Sequence, residues 1–585
     1  MLTTFARWTA PFGYLPVYQN ETTGSSTAPA HRIWVRRRRC LYPVLLLALV
    51  ISLLLSSSAN LRAWSRSGVA RSRSWLSSVH QQVNCEDVHA DVRAVECHVR
   101  RAQEHMQETL LRQSKTYKAA VRNYRKRYKR QPPPGFQDWF EFAVAHNATL
   151  IDDYDQLEMD LQPLRNIPAP LLRQRMQNAL NFQAMNLHQW RFAPGKATLH
   201  DWSGNKVGED SELFRSTMDI LAPIMDKLPS LSILQNWDDK MRVCGPRDQQ
   251  DNHSPSLSLV NTTGMPDNVG WLTHGCPRDS STKSPLAIDR PSIDACEKVQ
   301  EWMPLHGISH IPHHCFNTTI PMFSLGRVSS FQDLTRPSWW CASSNYRLFK
   351  PGDKDKIAYA DKNDTLYWRG RTTGANNIDP YFRMAHRQRF VTLGQHMRIA
   401  TEALKRGEEI RDTLRMPNLP LQFTAEQIDA LSRLEPSNFD INFVELWCDD
   451  VETCRQWKSR IPSTAKAPLS NAFKNKFLFD LDGNSVSGRF YRFLDSNSLP
   501  FKQTIYVEWH DGRIVPWLHY VPISLEMDEV PLLLDYFLND PDGILIGEFL
   551  ANEGKRWAES SLRVVDLTIY FYRQLLELAH IIGQD

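Results

Sequence analysis

The run KFLFDLDGNSVSGRFYRFLDSNSLPFKQTIYV, residues 476–507, constrains the fold more than any other part of the chain. Its first segment, 476–483, is apolar on both alternating faces, as in a strand covered by helices on either side of a parallel sheet. A small polar loop follows Asp482-Gly483. A helix then begins near Gly488 with Phe490, Phe493 and Leu494 on one face, and a second strand occupies 499–507. Upstream, TLYW at 365–368 and a long helical stretch at 383–408 continue the alternation. Strands alternating with helices predict βαβ units and a parallel sheet.

That corner also carries chemistry. Asn484, Ser485 and Ser487, leading into a helix N-terminus, would gather backbone N–H groups, hydroxyls and the positive dipole end at one anion-binding point. Arg489 and Arg492 add guanidinium groups suited to a diphosphate. A second element, WRGRTTG, sets Arg369, Arg371, Thr372 and Thr373 beside Gly370 and Gly374 in the same manner. Two such loops on one α/β half point to a phosphorylated small-molecule ligand. Neither the GxGxxG dinucleotide fingerprint nor the GxxxxGK phosphate loop occurs. Asp480 and Asp482 form an Asp-x-Asp, but inside an apolar strand and before a glycine, where a turn role outweighs metal ligation. His313-His314 and Asp449-Asp450 lack third partners at ligand spacing. No metal site is therefore expected.

With 585 residues the chain has room for two cores and more. The net charge of +4 conceals an asymmetry: residues 1–66 hold eight Arg, no Lys and Glu21 alone, so the remainder is −3. A basic end of that kind does not make the body a nucleic-acid binder. Residues 124–130 interleave Tyr and Arg/Lys, yet read better as a basic helix lying on the body. The run CLYPVLLLALVISLLL at 40–55, after Arg36–Arg39, predicts one membrane-spanning helix of type II orientation. The expected organisation is a cytoplasmic tail (1–39), a signal anchor (40–61) and a stem, flexible then helical (62–130). An N-terminal acceptor-side domain (131–345), a C-terminal nucleotide-sugar-binding domain (346–552) and a terminal helix (553–585) complete it. Five Asn-x-Ser/Thr sequons, at Asn147, Asn252, Asn261, Asn317 and Asn363, and nine scattered cysteines downstream of the span agree with a lumenal, disulfide-forming compartment.

YWRGRTTGANN, the block from KFLFDLDG to PWLHYVPI, HRQRF at 386–390 and RQPPPGFQDWFEFAVAHNATLIDDYDQ at 130–156 occur in an order that resembles the fungal capsule-associated glycosyltransferases. These form glycosyltransferase family 90, related to the protein O-glucosyltransferase Rumi, and the similarity runs over roughly 120–560. The resemblance implies an α/β, GT-B-like architecture, two Rossmann-like domains facing a cleft, with inverting transfer from a UDP-sugar and no required metal or other cofactor. By position it implies that Asp333, in SSFQDLTRPSWW, is the catalytic base, and that Arg369, Arg371, Thr372, Ser487, Arg489, Arg492 and Glu508 hold the donor. Asn236, Asp238, Arg242 and Trp339 fall on the acceptor side. The family commonly has Ser where this chain has Arg371.

The expected activity is transfer of a sugar, xylose favoured over glucose, to a hydroxyl of a glycan, glycolipid or glycoprotein in the Golgi or ER. The expected partners are the donor, that acceptor and the bilayer, with no nucleic acid. The competing readings are a carbohydrate-binding or polysaccharide-assembly protein without transferase activity, and a glycoside hydrolase with two carboxylates across a cleft.

Overall fold

The computed structural model describes residues 94–245, 254–261, 276, 296, 302–310, 314–338, 354–374, 385–410, 423–448, 451–460 and 463–583. The predicted tail, the anchor at 40–61 and the flexible part of the stem lie outside the described residues. So do Asn252, His313, Trp339, Asp449 and Asp450. Among the described residues no helix is long and apolar enough to cross a membrane.

Among the described residues five helices come first: α1 (Ala94–Leu111), α2 (Tyr117–Tyr128), α3 (Phe136–Ala145), α4 (Asp155–Arg165) and α5 (Ala169–Ala179). A mixed sheet follows, built from β1 (Leu187–Ala193), β2 (Lys196–Asp201) and β3 (Leu231–Asn236), with α6 (Glu212–Leu221) between the last two. A two-stranded ribbon, β4 (Leu259–Asn261) and β5 (His314–Phe316), separates these from β6 (Met322–Ser324) and β7 (Leu334–Thr335). The order is β2-β1-β3-β6-β7: β1 runs antiparallel to both neighbours, whereas β3, β6 and β7 are parallel. The first half is thus only partly parallel. The polar hairpin turn at Pro194-Gly195 reverses the chain directly, and antiparallel pairing is what so short a connection allows.

The second sheet comprises β8 (Asn363–Arg371), β9 (Phe439–Glu445), β10 (Asn475–Leu481), β11 (Leu499–Gln503) and β12 (Val521–Pro522), every pair parallel. Helices α7 (His386–Lys405) and α8 (Ala425–Arg433) connect β8 to β9, and α9 (Val451–Arg460) connects β9 to β10. Burial explains the places. Phe477 through Leu481 are all buried, so β10 is central, while β9 alternates buried and half-buried residues and takes an edge. The strand order β9-β8-β10-β11-β12 is the 2-1-3-4-5 arrangement of an open doubly wound sheet. Its direction of progression reverses between β8 and β10, and ligands bind outside the carboxyl ends of strands at such a point.

Three further helices follow a short α10 (Phe490–Leu494): α11 (Val530–Asn539), α12 (Pro541–Ser561) and α13 (Val564–Ile582). The last returns to the first half. Trp139 Nε1 donates to the Ile569 carbonyl at 2.9 Å, Thr568 Oγ1 to that of Ile220 at 2.7 Å, and Gln574 Nε2 to that of Thr335 at 2.8 Å. The helical part of the expected stem is likewise built into the body. His98 of α1 stacks on Trp517 at 5.4 Å, and Tyr124 of α2 donates to Glu577 at 2.9 Å. Arg127 of α2 pairs with Asp153, and Arg130, just past the helix, with Glu158 and Glu577, so these basic residues serve packing.

Three disulfides, Cys244–Cys315, Cys276–Cys296 and Cys448–Cys454, are formed, and Cys97 is also disulfide-bonded. The sequon residues Asn147, Asn317 and Asn363 are exposed.

Candidate active site

The carboxyl ends of β8 and β10 lie side by side, and the residues after them form the floor of a cleft. Gly374 has φ +84°, a left-handed conformation suited to glycine, and a Cβ there would stand 2.3 Å from the Gly483 carbonyl oxygen. At this point the two loops therefore meet backbone to backbone. Gly374 N donates to Asn484 Oδ1 at 3.0 Å, and Gly483 N to the Ser485 carbonyl at 2.7 Å.

The start of α7 fastens both loops. Arg387 Nε donates to the Asp482 carbonyl at 2.6 Å, and Nη1 to the Arg371 carbonyl at 3.0 Å and Thr373 Oγ1 at 2.7 Å. His386 Nε2 meets the Asp482 carbonyl at 2.8 Å, and its ring stacks on His306 at 3.9 Å. Burial, with Arg489 close by, lowers the Arg387 guanidinium to about 9. Arg489 donates to the Arg369 carbonyl and lies over the Trp368 and Phe493 rings. Two like charges gathered at the switch point, among small residues, make a place for an anion.

Not every sequence-predicted donor residue faces this place. Arg369 is drawn back along the sheet: its Nη2 meets both carboxylate oxygens of Asp440 at 2.7 Å, and Asp440 is the second residue of β9, towards the amino end of that strand. Arg371 pairs with Glu445 at 3.0 Å and covers the Trp447 ring at 4.5 Å, on the rim. The buried Thr372 hydroxyl donates to the Trp447 carbonyl at 2.8 Å and accepts from Trp447 N at 2.7 Å. Ser487 donates to Asp480, and Arg492 is buried within α10. That helix has only five residues, so the anticipated macrodipole contribution is small. Glu508 is enclosed with Lys502 at 3.3 Å, Lys502 also meeting Asp480 at 3.3 Å. Burial raises Glu508 to about 8. Asp482 accepts from Ile505 N at 2.9 Å. Among the described residues no cluster of three His, Cys, Asp or Glu could hold a metal ion.

On the opposite side, Asp333 is fully buried. Its Oδ1 accepts from Arg242 N at 2.8 Å and Ser324 Oγ at 2.6 Å, and its Oδ2 from Val243 N at 2.9 Å. Burial raises its carboxyl above the ordinary range, against the pull of these donors. A carboxylate with no exposure and three internal donors cannot meet a substrate hydroxyl, which corrects the expectation for Asp333. It is a buttress. Asn236 Oδ1 accepts from Asp238 N at 3.0 Å and Arg242 Nε at 3.3 Å, Arg242 pairs with Asp238, and Asn236 Nδ2 donates to Ser324 Oγ at 3.1 Å. Together these groups hold rigid the loop that follows β3.

That loop presents Asp239, which the sequence reading passed over. Asp239 is exposed, yet its surroundings desolvate it enough to raise its carboxyl above the ordinary range, with Asp238 adding to the rise and Asn484 opposing it. Accessible and desolvated together describe a group inside a cleft. Asn484 Nδ2 stands 3.4 Å from Asp239 Oδ2, so the aspartate faces the loop after β10 directly. Close approach of the halves is fixed next to it. Arg327 and Val507 exchange backbone hydrogen bonds at 3.1 and 2.7 Å, and a Cβ on Gly326 would stand 2.5 Å from Val486 Cγ1. The signal available in the sequence was a carboxylate pair, WDDK, directly after the apolar strand LSILQN.

Comparison with known proteins points to a glycosyltransferase. Residues 310–583 match the model of glycosyl transferase family 90. Protein O-glucosyltransferase 1 of Rattus norvegicus is 22% identical over 286 residues, 46% of this chain and 59% of that relative, and its Mus musculus counterpart gives the same figures. The Homo sapiens protein of that name is 24% identical over 158 residues, 26% of this chain and 38% of the relative. The chain thus spans 59% or less of the length of these curated relatives. Residues 310–583, which include all five strands of the parallel sheet, are thus the part of the chain that is similar to glycosyl transferase family 90.

Proposed function

We propose that the protein is an inverting glycosyltransferase of GT-B type that moves a sugar from a UDP-sugar to an acceptor hydroxyl, with Asp239 as the base. The observation that carries this reading is the placement of an accessible, desolvated carboxylate at the end of β3, opposite the Asn484 loop at the β8/β10 switch point. Asp239 takes the acceptor proton as that oxygen bonds to the anomeric carbon and the bond from that carbon to the diphosphate breaks on the opposite face. The negative charge left on UDP is met by Arg489 with the buried Arg387 behind it, electrostatic stabilisation that needs no bound metal. Xylose is favoured over glucose on the family resemblance. The anchor at 40–61 would hold the body in the lumen of the Golgi or ER, and the disulfides and exposed sequons support an oxidising compartment.

Thermal denaturation with UDP, UMP and GDP, with and without EDTA, tests the reading. At one hundred times its Kd, UDP stabilises by about 2.7 kcal/mol. Near 500 residues have an unfolding entropy of about 1 kcal/mol/K, so Tm rises by roughly 2–3 °C. The rise should survive EDTA. A Tm indifferent to UDP overturns the proposal.

A further inference from the structure

Among the described tryptophans only Trp237 and Trp447 are exposed, at 43% and 42%. The others are buried or half-buried, so these two rings are partly exposed against the ordinary preference for burial. Trp447 has a face covered by the Arg371 guanidinium at 4.5 Å. Trp237 is backed by the His188 ring at 5.1 Å, tilted by 37°, and follows directly on the last residue of β3, two residues before Asp239.

We propose that Trp237 is the platform on which the acceptor stacks, and that the acceptor at this site is a saccharide. The inference rests on the transferase reading above and adds the chemical class of the second substrate. A pyranose offers a patch of C–H groups on one face and hydroxyls around its edge. An exposed indole complements the first, its negative π face meeting polarised C–H groups, and carboxylates complement the second by accepting hydroxyl protons. The loop supplies both within three residues, Trp237, Asp238 and Asp239. It is also preorganised. Trp237 N donates to the Asn186 carbonyl at 3.3 Å, Asp238 N to Asn236 Oδ1 at 3.0 Å, and the Asp238 carboxylate is held by Arg242. A ring fixed in advance loses little entropy when a sugar settles on it.

The test uses the whole chain, wild type and the variants Trp237→Ala and Trp237→Phe, in two measurements: the Tm shift given by UDP, and calorimetric titration of the UDP-saturated protein. The titrants are lactose, cellobiose, mannobiose and an unglycosylated serine-rich peptide. At least one disaccharide should bind the wild type, with Trp237→Ala weakening it about tenfold or more, Trp237→Phe by about threefold or less, and the UDP shift retained throughout. Binding of the peptide alone, of no disaccharide, or of disaccharides equally by wild type and Trp237→Ala overturns the platform. Should UDP leave the wild-type Tm unchanged, the transferase reading fails, and the disaccharide titration still decides the platform by itself.

Discussion

Replacing Asp239 and Asp333 separately by asparagine should give opposite phenotypes, because one carboxylate faces the cleft and the other braces the loop beneath it. Asp239 contributes one long contact, 3.4 Å to Asn484, and remains accessible. Asp239→Asn should leave Tm within about 1 °C, since exposed substitutions usually stay within about 0.5 kcal/mol. It removes the proton acceptor, so kcat should fall about 10²–10⁴-fold with the UDP-induced Tm rise unaltered. Asp333→Asn keeps shape but turns one acceptor oxygen into a donor. Either the pair Arg242 N and Ser324 Oγ or the Val243 N–H then meets an amide NH2. An unsatisfied buried donor costs about 1–3 kcal/mol, and the lost charge-assisted bonds bring the total to about 3–5 kcal/mol. With about 1 kcal/mol/K of unfolding entropy, Tm should drop by roughly 3–5 °C. Activity per folded molecule, with folded protein counted by active-site titration at low temperature, should fall far less than for Asp239→Asn. An Asp333→Asn protein of unchanged Tm and abolished turnover, beside an active Asp239→Asn, would refute the reasoning.

Arg489→Met should raise the Kd for UDP roughly 10–100-fold, the worth of a charge-assisted contact of about 1.5–3 kcal/mol, whereas Arg369→Met should leave that Kd within about threefold; equilibrium dialysis decides. Gly326→Val places carbon where Val486 Cγ1 already stands, so it should separate the facing loops and lower both Tm and turnover, as differential scanning fluorimetry and UDP release will show. Burial raises Glu508 to about 8 and Asp511 to about 7. Both bind a proton more tightly folded than unfolded, so their stabilising contribution is complete below about pH 4 and is lost as pH rises towards 8. Denaturant titrations from pH 5 to pH 8 should show that decline, and Glu508→Gln should flatten it. Cys244→Ser opens a loop of 71 residues, for which chain entropy gives about 4 kcal/mol, read as a lower denaturation midpoint.

The parallel sheet was legible because β10 is apolar on both faces and β8 ends in a glycine flanked by arginines, patterns that burial and loop chemistry impose locally. The mixed sheet was not. Its strands β6 and β7 have three and two residues, too short to establish a period, and the return of α13 to the first half depends on contacts more than 200 residues apart in sequence. For the site, residue types were visible but their directions were not. Arg369, Thr372 and Ser487 are the kinds of group that bind phosphate, and each is instead consumed by a neighbour in the fold, Asp440, Trp447 and Asp480 respectively. Arg387 shows the converse: the sequence reading gives it no site role of its own, yet the helix start carries it into the junction of two loops. The same indeterminacy separates Asp333 from Asp239. Asp239 comes just after β3 and Asp333 just before β7, and a one-dimensional pattern cannot say which carboxylate is turned inward. Three donors, from Arg242, Val243 and Ser324, settle it for Asp333, and that burial in turn is what stiffens the loop from which Asp239 can act.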